Sequence, residues 1–184
     1  MKRSTIDTLI STTGILLSLL LVIGAVGLFI ASGFIHSQVV KQLQPENISF
    51  PAKSSIAYTS LPASDQAAMS AYAGQDVLTG AQAEVFADNY IAVHLTKIGG
   101  GKTYSELTAE SLTDPTNTKL SQTVNTVFKG ETLRGLLLNA YAFDTMATVA
   151  LVAGYGALGA GILLIILSLL GFYHASYVQK KQKT

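Results

Sequence analysis

One glycine-rich segment has the residue types of a phosphate-binding loop. Gly99-Gly100-Gly101-Lys102-Thr103 ends like the motif G-x-x-x-x-G-K-[ST], in which backbone N–H groups and a lysine surround phosphates after a buried strand. Here Thr96 occupies the position of the first glycine, and the preceding residues have a helical pattern. The sequence therefore favours a glycine helix stop followed by a threonine-capped helix over nucleotide binding.

His94 is the candidate for acid–base catalysis or metal binding by a histidine. Glu84 and Asp88 precede it on the same predicted helix, but His94 lies about 240° around the helix axis from Asp88, so the three side chains do not converge. No H-E-x-x-H spacing and no G-x-S-x-G nucleophile motif occurs in the sequence. We predict a packed or surface histidine, no metal site and no cofactor. An envelope hydrolase that uses His94 with a nearby carboxylate remains an alternative.

A third group of polar residues lies where the second apolar stretch begins. Glu131 and Arg134 are one helical turn apart and can pair, with Asn139 and Asp144 further along. We interpret them as anchors at a membrane interface, and binding of a partner or a lipid headgroup is the alternative. Asp144 is expected just outside the hydrocarbon, which argues against a mid-membrane proton or ion site.

The polar residues discussed so far lie between two long stretches without Asp, Glu, Lys or Arg, residues 8–40 and 145–179. A bilayer core about 30 Å thick needs roughly 20 apolar helical residues, and each stretch exceeds that length. The mean hydropathy of +0.41 also fits a membrane protein. A net charge of +1 gives no basic face for nucleic acid, and the absence of cysteine excludes disulfides and thiolate metal sites.

The positive charges near the ends of the stretches set the expected topology. Lys2 and Arg3 precede the first stretch and three lysines follow the second, whereas residues 36–143 carry seven Lys or Arg against nine Asp or Glu. The expected segments are a cytoplasmic N-terminus (1–8), transmembrane helix 1 (9–35), an extracytoplasmic helical domain (36–143), transmembrane helix 2 (144–174) and a basic cytoplasmic tail (175–184).

Cleavage of the first stretch as a signal peptide is the alternative to an anchor. Ala31-Ser32-Gly33 has the small residues of a cleavage site. The apolar run from Leu9 to Ile35, however, is much longer than a signal core of about 7–15 residues. We therefore predict an uncleaved helix in a two-pass plasma-membrane protein.

The middle segment is predicted to be mainly α-helical. Residues 44–60 are expected to be extended, followed by helices over 64–72, 81–98, 103–112 and 114–128. Lys129-Gly130 should interrupt the chain before a long helix begins at Glu131. A continuous helix would carry apolar residues from Leu136 to Phe143 beyond the bilayer, so we expect the outer domain to pack on that part of the helix.

Small residues spaced four apart predict close helix packing in the two spans. These residues are Gly27 and Ala31 in the first span and Gly156, Ala157, Ala160 and Gly161 in the second. Packing of the two spans on each other would satisfy them. Because the small residues of the second span occupy more than one face, a second partner, either another copy or a different membrane subunit, is also expected.

Four segments carry a resemblance to a known family. They are Gly80-Ala-Gln-Ala-Glu84, Tyr90-Ile91-Ala92-Val93-His94-Leu95, Gly100-Gly101-Lys102-Thr103-Tyr104 and Gly130-Glu-Thr-Leu-Arg134-Gly-Leu-Leu-Leu-Asn139-Ala-Tyr141. Over roughly residues 50–170 the chain resembles a family of small two-span membrane proteins, best known from actinobacteria, with an extracytoplasmic helical domain.

The resemblance implies topology rather than activity. Family members often carry the name aromatic ring-opening dioxygenase, but such extradiol enzymes are soluble iron proteins, and no matching His/His/carboxylate set stands in this sequence. The family brings no established reaction. It implies that any shared role lies in the Gly100–Tyr104 and Gly130–Tyr141 segments.

Taken together, the sequence predicts an all-α membrane protein that is not an enzyme. The working hypothesis is a scaffold or accessory subunit of a bacterial envelope complex, with the lipid bilayer and a membrane protein or a second copy as partners. The alternative is an extracytoplasmic module that binds a lipid or small molecule between its helices and the second span.

Overall fold

The computed structural model describes residues 3–181, and its regular structure is helical. The helices are α1 (Arg3–Leu43), a 3₁₀ turn (Gln44–Glu46), α2 (Ile56–Thr59), α3 (Ala63–Met69), α4 (Gly80–Phe86), a π-helical segment (Ala87–Ile91), α5 (Ala92–Ile98), α6 (Tyr104–Thr113) and α7 (Thr118–Lys181). Ser49 and Asp76 form an isolated antiparallel bridge, and residues 3–181 contain no strand. The prediction of an all-α chain is confirmed.

The chain forms two compact units. One comprises the residues up to Phe34 together with those from Met146 onward, and the other comprises Ile35–Thr145. We call them the hairpin and the helical domain. Helices α1 and α7 each contribute to both units.

Both helices of the hairpin are long and apolar enough to cross a membrane. The candidate spans lie within Ser4–Glu46, with a mean hydropathy of 2.7 in the most apolar window, and within Thr118–Lys180, with 2.3. Their uncharged stretches, residues 8–40 and 145–179, are each about 50 Å long at 1.5 Å per residue. These lengths are compatible with a two-helix membrane hairpin.

The two helices of the hairpin meet along a seam of small residues that recur every seven positions. The buried members are Ser4, Ser11, Ser18, Ala25 and Ser32 on α1, and Ala147, Gly154, Gly161, Ser168 and Ala175 on α7. A seven-residue repeat keeps one face of each helix turned toward its partner and is typical of left-handed supercoils. Small side chains at these positions let the backbones approach closely.

Two reciprocal serine–glycine contacts show how tight this seam is. A Cβ atom on Gly171 would lie 2.2 Å from Ser11 Oγ, and one on Gly14 would lie 2.2 Å from Ser168 Oγ. The segments that carry them, residues 11–14 and 168–171, both read Ser-x-x-Gly. Each serine hydroxyl thus occupies the space that the absent side chain of the facing glycine leaves open.

The buried row of the seam includes one residue of the predicted small-x-x-x-small pairs. Gly161 lies in the seam, where a Cβ would be 3.1 Å from Val22 Cγ2. Gly27 and Gly156 have open space around the Cβ position, Ala31 and Ala160 are exposed, and Ala157 is half-buried. Gly27 and Gly156 therefore make no close approach to the facing helix, and packing of these residues against another helix stays a prediction.

The helical domain is organised around an aromatic and aliphatic core. Phe50 packs against Phe86 with the two ring centroids 5.3 Å apart, and against Tyr72 at 5.4 Å. The other buried core members are Val39, Leu43, Tyr58, Leu61, Met69, Val77, Ala83, Ala87, Ile91, Leu95 and Leu137. Residues from α1 and α7 belong to this core, so both long helices are part of the domain.

The segment predicted to be extended, residues 44–60, is only partly so. It contains the 3₁₀ turn and the short helix α2, whose first turn is capped by Ser55 Oγ accepting from Tyr58 N. The chain between them is extended at Phe50, which is paired by backbone hydrogen bonds to Gly74 and Gln75. The next predicted helix, over 64–72, is shorter and spans Ala63–Met69.

The helix predicted over 81–98 forms, but it contains a π turn at Ala87–Ile91. Four of its buried positions are spaced four residues apart, at 83, 87, 91 and 95, and Gly80 and Phe86 are buried as well. In an ideal α-helix such a row drifts by about 40° per step, and the wider π turn reduces the drift. The row ends at Leu95, since Ile98 is exposed.

The start of α6 follows its sequence signature. Thr103 accepts a hydrogen bond from Glu106 N, and the Glu106 carboxylate accepts one from Thr103 N at 2.7 Å, which completes a capping box. The prediction of a helix here is confirmed, with its end at Thr113.

The prediction of a helix starting at Asp114-Pro115 is wrong. The Asp114 carboxylate accepts hydrogen bonds from Thr116 and Asn117 side chains, each at 3.1 Å, and these hold a turn. Helix α7 begins after that turn, where Asn117 Oδ1 accepts from Leu120 N at 3.0 Å. The local side-chain hydrogen bonds of Asp114 compete with helix formation.

The predicted interruption at Lys129-Gly130 is also wrong, since α7 is continuous from Thr118 to Lys181. A Cβ on Gly130 would lie 2.3 Å from Leu95 Cδ2, so the glycine allows α5 to approach α7. Here glycine serves packing within a helix rather than ending it.

The apolar part of α7 beyond residue 135 is covered on one face. Leu137 is buried in the domain core, and Leu138 and Ala140 pack against it, as the prediction that the domain packs on this helix requires. Leu136 and Phe143 are 61% and 56% exposed, so the covering is one-sided.

The seam predicts a position-specific response to large side chains. Gly154→Leu places a side chain where Cβ alone would be 2.7 Å from Phe29 Cε1, and we expect a loss of about 1–3 kcal/mol in the free energy of unfolding. Gly156→Leu, with open space around its Cβ, is the matched control. An SDS titration of detergent-solubilised protein, followed by circular dichroism, measures both. Equal losses in the two variants would contradict the seam.

Candidate functional site

An ionisable pair joins α1 to α7 inside the helical domain. His36 Nδ1 contacts Asp144 Oδ1 within hydrogen-bond distance, and Asp144 Oδ2 accepts a hydrogen bond from Gly80 N at 3.0 Å. The carboxylate is mostly buried, whereas the histidine side chain is 39% exposed. One carboxylate therefore connects three elements, namely α1, the first turn of α4 and α7.

Glycine is required where α4 meets this carboxylate. A Cβ on Gly80 would lie 2.3 Å from Asp144 Cβ and 2.9 Å from its carboxylate oxygen Oδ2. Thr79 caps the start of α4. Its side-chain oxygen accepts a hydrogen bond from Gln82 N, and the Gln82 side-chain oxygen accepts one from Thr79 N. The capping box and the missing side chain together bring the first amide of α4 to Asp144.

The chemistry that this pair offers is limited. A carboxylate on Nδ1 orients the imidazole as in catalytic triads, and leaves Nε2 to act on a nucleophile. Within residues 3–181, no serine or threonine hydroxyl is hydrogen-bonded to His36. The contacts that the structure gives this pair connect α1, α4 and α7.

A second polar contact joins the π segment to α7. Arg134 Nη2 donates to Asp88 Oδ1 at 2.8 Å, and its Nη1 lies 3.7 Å from Glu131 Oε2. The hydrogen bond that Arg134 donates to Asp88 is the main reason that the pKa of Arg134 is raised. All three side chains are partly exposed, so the pair is expected to stabilise the domain by less than about 1 kcal/mol.

Asp88 lies in the π turn, at a position from which its carboxylate contacts Arg134. Its next residue, Asn89, donates from Nδ2 to Asp65 Oδ1 at 3.2 Å and so connects to α3. A π segment interrupts the 100° periodicity of the helix. For this reason the sequence indicated the pairing of Arg134 with Glu131 but not the closer contact with Asp88.

The glycine-rich segment forms a tight connection and not a phosphate cradle. Gly100 and Gly101 have φ angles of 63° and 80°, which favour glycine at both positions. Lys102 Nζ is paired with Glu110, and Thr103 caps α6. Beneath the segment, a Cβ on Gly99 would lie 3.4 Å from Leu107 Cδ1, so a core side chain fills that space.

The remaining predicted residues lie in separate surroundings. The Tyr104 and Phe128 rings are in contact, with centroids 5.6 Å apart, while Asn139 is exposed and Tyr141 is half-buried. Within residues 3–181, no hydrogen bond or ion pair connects the Gly100–Tyr104 segment with the Glu131–Tyr141 segment. The structure does not bring the two segments into one polar site.

His94 is held by its own helix. Its Nδ1 lies 2.8 Å from the carbonyl oxygen of Tyr90, and the two rings are 4.4 Å apart between centroids. No carboxylate within residues 3–181 is ion-paired with His94. Nor does that part of the chain contain a group of three His, Cys, Asp or Glu residues that could hold a metal ion.

Sequence reasoning missed the contact between His36 and Asp144. A signal was present, because His36 lies near the end of the first uncharged stretch and Asp144 immediately precedes the second. In an antiparallel pair of helices these two positions fall at the same end. Ionisable residues at the matching ends of two apolar helices are therefore candidates for pairing.

Comparison with known proteins gives no relative for this chain: no family model, no curated protein and no solved structure matches it. The functional conclusion therefore depends on the geometry.

The contact at Gly80 can be tested by adding one methyl group. We expect Gly80→Ala to lower the free energy of unfolding by about 1–3 kcal/mol, because its Cβ would overlap Asp144. In Gly135→Ala the new methyl group meets open space in a helix interior, so stability should rise by about 0.5–1 kcal/mol. Chemical denaturation of both variants measures the difference, and a neutral Gly80→Ala would argue against the close approach.

The capping box predicts a pH dependence for the start of α6. Hydrogen bonds from the Thr103 backbone and side chain lower the pKa of Glu106. Since this pKa is lower in the folded state, the stabilisation is present above the ordinary Glu pKa and is lost as the pH falls through the lowered value. A ¹³C NMR titration should show Glu106 protonating at lower pH than in the Thr103→Ala variant. Identical titration midpoints would rule the effect out.

Proposed function

We propose that this chain is a non-enzymatic, two-pass membrane protein that acts as a scaffold or accessory subunit of a larger envelope complex. The observation that carries the proposal is the glycine surface of the hairpin outside the seam. Gly24, Gly27, Gly156 and Gly159 each have open space at the Cβ position.

These glycines lower the stability of the helices that contain them unless a partner helix packs against them. Glycine is less favourable than alanine by about 1 kcal/mol in a helix interior. The contact between α1 and α7 does not involve these four positions. In membranes, small residues of this kind let a second helix approach closely, which supports a further transmembrane partner.

The polar groups support a structural rather than a catalytic role. Asp144, Arg134 and Lys102 are each engaged in contacts that connect or cap helices. The contacts of Asp144 and Arg134 connect α1, α4 and the π segment to α7. A helical domain whose elements are connected in this way suits a subunit whose function is to hold other proteins.

The proposed orientation places both termini in the cytoplasm and the helical domain outside. It is supported by the basic residues at the two ends of the chain. Because the chain contains no cysteine, single cysteines are specific reporters of this orientation.

Topology can be tested with a membrane-impermeant maleimide on whole cells. Ser64→Cys lies at an exposed position of the domain, and Gln179→Cys lies near the end of α7. We expect Ser64→Cys to be labelled in intact cells and Gln179→Cys only after lysis. The reverse pattern would show that the domain faces the cytoplasm.

The partner can be tested by cross-linking in intact cells at native expression, followed by mass spectrometry. We expect a reproducible membrane-protein neighbour or a second copy, and weaker cross-linking in Gly27→Leu and Gly156→Leu. Ile162→Leu, a conservative change at another exposed position of α7, should leave the cross-links unchanged. Recovery of monomer alone from native membranes would count against the subunit role.

A further inference from the structure

The hairpin contains a groove at the end that carries Asp7 and His174. Its volume is about 460 Å³, and its lining includes Ser11, Gly14, Ser168 and Gly171. These are the residues of the two reciprocal serine–glycine contacts. The groove exists because no side chain larger than serine occupies this part of the seam.

The groove has an apolar wall and a polar end. Ile10, Leu164, Leu167 and Leu170 form the wall, while Asp7 and His174 lie together at the end. Such a division of apolar and polar surface matches a molecule with an acyl chain and a polar head.

One oxygen at the polar end lacks a hydrogen-bond partner. Asp7 Oδ2 is buried, and among residues 4–180, whose side chains the structure describes, it has no hydrogen-bond partner. His174 Nε2 lies 4.0 Å from this oxygen, beyond hydrogen-bond range. Burial of a carboxylate oxygen without a donor is costly, so this atom indicates a missing positively charged or donating group.

We propose that the groove binds a phospholipid with a primary-amine headgroup, whose ammonium donates to Asp7 Oδ2 and whose acyl chain lies along the apolar wall. The inference rests on the membrane location proposed above. A primary ammonium has three N–H donors, as in a lysine side chain. The quaternary ammonium of a choline headgroup has none, so it cannot satisfy the oxygen.

The absence of tryptophan from the chain allows a direct test. Ile10→Trp places a single fluorophore on the apolar wall, and Ile23→Trp places one at an exposed position of α1 outside the groove lining. Each protein is reconstituted in phosphatidylcholine vesicles that contain equal mole fractions of acyl-brominated phosphatidylethanolamine, phosphatidylcholine or phosphatidylglycerol. Bromine quenches tryptophan at contact, so quenching reports which lipid occupies the site.

We expect brominated phosphatidylethanolamine to quench Ile10→Trp with several-fold to about tenfold higher apparent affinity than the choline lipid, which corresponds to one charge-assisted hydrogen bond. The three lipids should quench Ile23→Trp equally. In the Ile10→Trp background, Asp7→Asn should remove most of the preference and Asp7→Glu should retain part of it. Glu46→Gln, which removes an exposed carboxylate elsewhere, should not alter it.

Several results would overturn the proposal. Equal quenching of Ile10→Trp by all three lipids would mean that water alone satisfies Asp7. A preference for phosphatidylglycerol would point to simple attraction by the basic ends of the chain, and a preference that survives Asp7→Asn would place the headgroup elsewhere. Absence of quenching at both reporters would instead refute the membrane location itself.

Discussion

The hairpin depends on side chains no larger than serine at every seventh position of two helices. If the hairpin lies in a bilayer, the lipid supplies no hydrophobic drive for apolar helices to associate, so close contact and van der Waals packing would hold them together. The seam from Ser4 to Ser32 and from Ala147 to Ala175 provides that contact over the whole hairpin. Glycines at 14, 154, 161 and 171 are its tightest points.

The helical domain differs from the hairpin in residue size, because large aromatic side chains form its core. Phe50, Phe86 and Tyr90 form a chain of ring contacts that ends at His94. Polar groups then fix the orientation of the elements around that core, above all Asp144 between α1, α4 and α7. We expect both the serine–glycine seam and the aromatic core to be destabilised by changes of residue size.

Much of the architecture could be predicted from composition and capping signals. The two uncharged stretches predicted the long apolar helices, and the capping pair of Thr103 and Glu106 predicted the start of α6. Both signals are local in sequence, which is why they could be recognised. The interruption expected at Gly130 was wrong, since a glycine that makes room for Leu95 looks the same in sequence as one that ends a helix. Such a glycine can be interpreted only when its tertiary neighbour is known.

The candidate sites were harder to predict for the same reason. Asp88 reaches Arg134 through a π turn that no periodicity of 3.6 residues anticipates. The contact between His36 and Asp144 spans 108 positions of sequence. Spacing arguments work within one helix, and both of these contacts join different helices.

The length of the uncharged stretches bears on how deep the hairpin could sit in a bilayer. Each is about 50 Å long, which exceeds a hydrocarbon core of about 30 Å and also the roughly 40–45 Å that includes the headgroup layers. A hairpin of this kind in a bilayer could shift along the membrane normal by several ångströms before a charged side chain enters hydrocarbon. The protein would then be matched to no single bilayer thickness, and membranes that differ in sterol or acyl-chain length could accommodate it without tilt or thinning.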